Sequence, residues 1–240
     1  MAVELLRGLG IAVVYYIAFL AVALPVRRFA RVPKEISRKA LHFMLLGSVF
    51  IFTLGFETWW LAAVASVMFL VVVLIALAVA ERFLPGYSSL LTERKAGELK
   101  RSAVAIFFVF AILITICWGL LGEKLLVIAS VMAWGLGDAA AALIGKRFGR
   151  SYLSGEYVEG KKSLEGSIAM LAVSFVSVLV ILAVMGPEQW YEYIPVALNT
   201  AIVCTLVELF TKNGMDTITC PLAAACVLIP MLDVLKYITA

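Results

Sequence analysis

A chain of 240 residues that is 64% hydrophobic, with mean hydropathy +1.06, carries too many apolar side chains and too many long apolar runs to be a soluble globule. Its net charge of +4 is small and interspersed with carboxylates, which argues against nucleic acid as a partner and for anionic lipid head groups or phosphorylated ligands. The four cysteines, Cys117, Cys204, Cys220 and Cys226, lie in or beside apolar runs without CxxC spacing, so they read as buried thiols rather than as a disulfide framework or a zinc site.

In chain order the apolar runs predict about eight membrane spans: Leu5 to Leu24, Ala40 to Gly55, Thr58 to Ala80, Ser102 to Leu121, Lys124 to Gly145, Gly166 to Met185, Tyr193 to Phe210, and Thr217 to Ile238. The second and seventh are short. None shows the ten-residue alternation of barrel strands, so the spans are expected to be helices in one all-α polytopic bundle, a single domain over residues 1–240. Ala21-Val22-Ala23 resembles a signal-peptide cleavage site, but Arg27, Arg28 and Arg31 directly after it favour an uncleaved span with its N-terminus outside. Seventeen of the twenty Lys and Arg residues fall in every second gap, namely Arg27 to Lys39, Glu81 to Arg101, Lys146 to Glu165 and Thr211 to Asp216, which the positive-inside rule places in the cytoplasm.

The same gaps hold the unusual polar motifs. In Ser37-Arg38-Lys39-Ala40-Leu41-His42, Arg38, Lys39 and His42 share a helix face. A snorkelling cluster accounts for them about as well as a phosphate site at the free N–H groups of a helix start. Next comes Gly137-Asp138-Ala139-Ala140-Ala141-Ala142-Leu143-Ile144-Gly145-Lys146-Arg147-Phe148-Gly149. Its small residues at four-residue spacing are explained by helix packing, but Asp138 is not. A carboxylate two turns inside a span costs on the order of 2.5 to 3.5 kcal/mol on insertion scales and marks a partner, an ion or a reaction.

The loop from Gly155 to Ser167 is a near miss to the Walker phosphate loop, with Lys162 where Ser or Thr should stand and no α/β sheet to carry it. What survives is local: Lys161, Lys162 and a Ser163 N-cap at a helix start suit an oligophosphate, against the alternative of a solvated basic loop. Last, Glu208 ends the seventh span and Asp216 starts the eighth after the Asn213-Gly214 turn, with Pro221 tolerable in the first turns. Asp216 alone would be an ordinary N-cap; with Asp138 and Glu208 it makes a candidate set of hard oxygen ligands for magnesium. Cations for phosphates beside carboxylates for metal are the parts of a phosphoryl- or nucleotidyl-transfer site.

Taken together, these segments resemble the CTP-dependent lipid alcohol kinases, the family of dolichol kinase, phytol kinase and the yeast-type diacylglycerol kinase. The resemblance runs from Ser37 to Pro221 and is carried by Arg38-Lys39 with His42, the GDxxAxxxGxxxG pattern, Lys162 to Ser167, and Asp216-Thr217-Ile218-Thr219-Cys220-Pro221. The last motif departs from the usual form, with Thr217 after the Asp and Cys220 before the Pro. The resemblance implies CTP as donor and a membrane-dissolved alcohol (a polyprenol, phytol-like or diacylglycerol-like lipid) as acceptor. Arg38, Lys39, Lys161, Lys162 and Ser163 are then expected at the phosphates, with Lys146 and Arg147 as weaker contacts. Asp138, with Glu208 or Asp216, is expected to hold Mg2+ or take the alcohol's proton, and His42 is the reserve base. The rival readings are a CTP-using lipid cytidylyltransferase, whose C-terminal signature has no match here, and an ion-coupled transporter, whose internal repeats and broken helices are not visible.

Overall fold

The computed structural model describes residues 1–29, 33–83, 97–153, 158, 162–212 and 214–239. Among the described residues the structure is helical apart from short connections and one pair of two-residue strands. The helices are α1 (Ala2–Phe29), α2 (Lys34–Leu54), α3 (Trp59–Phe83), α4 (Glu98–Leu113), α5 (Lys124–Phe148), α6 (Leu164–Met185), α7 (Ile194–Phe210) and α8 (Asp216–Thr239). The strands are β1 (Tyr152–Leu153) and β2 (Lys162–Ser163). Seven of the runs are long and apolar enough to cross a bilayer, α4 counted together with the π-helical turn Ile114–Leu120 that continues it, while α7 has only 17 residues. The all-α polytopic expectation holds, and the chain is an integral membrane protein. The second expected span is longer than its apolar run: the helix starts at Lys34, so its charged first turns are also helical.

The chain divides into two compact units, Met1–Gly119 and Leu120–Ala240. In the first, Phe52 of α2 lies against Phe56, Phe69, Phe107 and Phe110, joining α2, α3 and α4 through rings 5.9–6.4 Å apart. α1 joins through Tyr16, which sits edge-on to Phe69 at 4.9 Å and donates a hydrogen bond to Ser48 Oγ, buried like itself. A second tie lies at the start of α1. There the Glu4 carboxylate accepts from the backbone N–H groups of Glu57 (2.9 Å) and Thr58 (3.0 Å), the orphan donors at the start of α3. Most of the remaining surface of α1 is exposed and apolar, as a lipid-facing span requires.

In the second unit, consecutive helices α5 to α8 pack on one another around Val127, Ile128, Trp134, Val178, Leu182 and Ala201. The small-residue stripe of α5 meets α6 directly. A side chain at Gly145 would come within 3.0 Å of Ser163 Oγ, and one at Gly166 within 3.0 Å of the Ala141 carbonyl. Ser174 Oγ of α6 donates to the Ala133 carbonyl of α5 at 2.6 Å. Between α7 and α8, Cys204 and Cys220 exchange thiol contacts with each other's carbonyls at 3.9 and 3.7 Å. Cys117, Cys204 and Cys220 are buried as expected, whereas Cys226 is exposed, because it lies on an outward-facing side of α8.

Candidate active site

The chain leaves α5 at Gly149 and enters α6 through a stem built by local hydrogen bonds. Tyr152 and Leu153 pair antiparallel with Ser163 and Lys162, and Leu164 N–H donates to the Ser151 carbonyl at 2.9 Å. The Ser163 hydroxyl, buried, accepts from the Gly166 N–H at 3.1 Å and is the expected N-cap of α6. In the first turn of α6, the Glu165 carboxylate reaches back to the N–H groups of Arg150 and Ser151, both at 3.1 Å. These contacts hold Lys162 at a defined place on the stem. Lys161 and the remaining glycines of the loop, Gly155 and Gly160, lie outside the described residues. Glu165→Ala is expected to raise amide hydrogen exchange at Arg150 and Ser151 by roughly tenfold, because a charged acceptor is lost, whereas Glu165→Gln keeps one oxygen and changes exchange little. Equal exchange in wild type and Glu165→Ala shows that the stem does not depend on this carboxylate.

Lys162 points to the end of α7. Its ammonium contacts Glu208 Oε1 at 2.9 Å and also donates to the Glu208 backbone carbonyl. The last turn of α7 carries free carbonyls and the negative end of the helix dipole, so a cation is favoured there. α8 begins at Asp216 itself, which places that carboxylate in the first turn rather than at the cap. Its neighbour Thr219 shares a hydroxyl contact with Thr211 at 3.1 Å, fastening the start of α8 to the end of α7. Glu208, in the last turn of α7, and Asp216, in the first turn of α8, thus stand at neighbouring helix ends, whereas Asp138 lies on α5 ten residues before that helix ends at Phe148. Asp138 is half-buried; Lys146 and Arg147 are exposed at the end of α5, with Arg147 over the Phe148 ring at 5.3 Å.

Arg38, Lys39 and His42 belong to the first unit. Because α2 starts at Lys34, they lie beyond its first four residues, and the Ser37 N–H already bonds to the Pro33 carbonyl at 3.1 Å. The free N–H groups expected beside Arg38 are thus displaced one turn toward Lys34. Arg38 donates to Glu35 at 2.5 Å and to Glu98 at 2.9 Å, joining α2 to the first turn of α4. Lys39 is buried at 4% exposure and His42 is half-buried. Sequence reasoning missed these two carboxylates. Glu35, three residues before Arg38, was visible by helical spacing; Glu98, sixty residues away, carried no signal.

The chain is 30% identical over 232 residues to phytol kinase from Synechocystis sp., an alignment covering 95% of this chain and 92% of that protein. The chain belongs to the lipid alcohol kinase family that includes phytol kinase. No protein-family model and no solved structure matches it.

The second unit places a lysine on a fixed stem against a carboxylate at the end of α7, with Asp216 at the adjacent start of α8. Among the described residues no three His, Cys, Asp or Glu side chains come close enough to enclose a metal ion by themselves. That donor set fits magnesium, which is ordinarily held by one or two carboxylates while water and substrate phosphate complete its shell.

Proposed function

We propose that this lipid alcohol kinase transfers the γ-phosphate of CTP to the hydroxyl of an isoprenoid-type alcohol such as phytol, at the cytoplasmic membrane boundary. The observation that carries the reading is the ion pair of Lys162 with Glu208 at the end of α7, beside the start of α8 at Asp216. The phytol kinase relative supports the acceptor class, CTP rests on the motif resemblance, and the cytoplasmic side rests on the charge asymmetry of the loops. A boundary position suits the substrates, since the donor is soluble in water and the acceptor in lipid.

In this mechanism Lys162 holds phosphate oxygens as a point charge, with Lys161, Lys146 and Arg147 adding positive potential. Asp138 accepts the hydroxyl proton. The alcohol oxygen forms its bond to the γ-phosphorus as the bond from that phosphorus to the β,γ-bridging oxygen breaks, and CDP departs with the bridging oxygen. Asp138 with Glu208 or Asp216 would hold magnesium, whose charge would offset that of the nucleotide phosphates.

Labelled CTP tests the reaction class. Label from the γ position is expected in the lipid product, with CDP released. Label from the α position in lipid, with pyrophosphate released, identifies a cytidylyltransferase instead. No labelled lipid from any alcohol in a panel of phytol, polyprenol and diacylglycerol overturns the kinase reading.

A further inference from the structure

Lys162 and Glu208 were each expected to bind part of the substrate, yet they bind each other. The pair is substantially shielded, with side-chain exposures of 20% and 12%, and Lys162 is also tied to the Glu208 carbonyl. Removing one member of such a pair leaves an uncompensated charge, so neither group is released without a replacement partner. The surroundings make the requirement asymmetric. Asp216, at the adjacent start of α8, also directs negative charge at this end of the unit.

We infer that Glu208 makes the nucleotide site selective for metal-loaded over metal-free nucleoside triphosphate, by holding Lys162 in an ion pair that only a metal–phosphate pair can replace on both sides. The inference rests on the nucleotide reading proposed above. A bare triphosphate reaching this helix end meets Lys162 already neutralised and two carboxylates of its own sign. A bare divalent cation meets Glu208 already occupied by the ammonium. A magnesium nucleotide brings both counter-charges at once: a phosphate oxygen takes the ammonium while the metal takes its place beside the carboxylate. Each charge exchanges one opposite partner for another, and no buried charge is left alone at the end of the exchange. Glu208 thus acts on specificity through Lys162, which a simple list of metal ligands does not convey.

The test is calorimetric titration of the full chain in detergent with CTP, in magnesium and in EDTA. Wild type is expected to bind CTP at least tenfold more tightly with magnesium. Glu208→Gln, which frees Lys162 and removes one negative charge, is expected to bind metal-free CTP about tenfold more tightly than wild type and to lose most of the magnesium dependence. Lys162→Met leaves Glu208 exposed to cations and is expected to gain melting temperature from magnesium alone, which wild type does not. The Lys162→Met/Glu208→Gln double variant removes both charges and reports whether the single variants fail by folding. If the double variant melts as wild type while Glu208→Gln loses affinity equally in both buffers, the exchange is overturned and the nucleotide site stands. If wild type binds CTP in neither buffer, the nucleotide reading falls and the inference with it.

Discussion

Asp138→Asn is expected to lower lipid phosphorylation by about a hundredfold or more, with membrane insertion and melting temperature at wild-type values. The substitution preserves size and removes only charge and basicity. A neutral side chain in a span is cheaper to insert than a carboxylate, so lost activity cannot be laid to lost insertion. Asp138 sits half-buried on α5, one residue past Gly137 of the contact stripe. The measurement is turnover of γ-labelled CTP with phytol beside a thermal melt of the same preparation; unchanged turnover removes Asp138 from the chemistry.

The second large effect is expected at the α5–α6 crossing. Gly166→Leu has no room, because the added β-carbon already approaches the Ala141 carbonyl at 3.0 Å, Ser163 Oγ at 3.2 Å and Gly145 Cα at 3.4 Å. Two of these atoms are backbone and cannot turn aside. Overpacking of about 3 kcal/mol corresponds to a melting temperature lower by roughly 10–15 °C for a unit of this size. Displacing α6 also moves the Ser163 cap and Lys162 away from Glu208, so activity should fall with stability. Gly166→Ala needs only a few tenths of an ångström of adjustment and is expected to keep most of both. Equal melting of the leucine variant and wild type shows that the crossing gives way without cost.

The spans were legible because bilayer thickness imposes a length on apolar runs, and the carboxylates were legible because they stand where a span tolerates no charge without a reason. Asp138, Glu208 and Asp216 could therefore be singled out before any coordinates, and the chain order explains why Glu208 and Asp216 stand near one another: α8 begins a few residues after α7 ends. What escaped the sequence is the pairing among the polar groups themselves. Lys162 and Glu208 are 46 residues apart and Arg38 and Glu98 are 60 apart, separations at which no local periodicity speaks. The start of α2 escaped for a different reason. Hydropathy measures apolar content, and Lys34 to Lys39 are helical without being apolar. Glu165 was visible as part of a motif, but its backward reach to Arg150 and Ser151 depends on a stem that two-residue strands cannot announce.

The shortness of α7 makes the bilayer a participant. At about 1.5 Å per residue its 17 residues extend about 25 Å, against about 30 Å of hydrocarbon in an ordinary membrane. A bilayer crossed by α7 meets the shortfall by thinning or by snorkelling of flanking residues, at a fraction of a kcal/mol per ångström. Thinning of that kind draws the head-group plane toward the ends of the helix. Thick, sterol-stiffened bilayers oppose such thinning, while thin, compliant ones accommodate it.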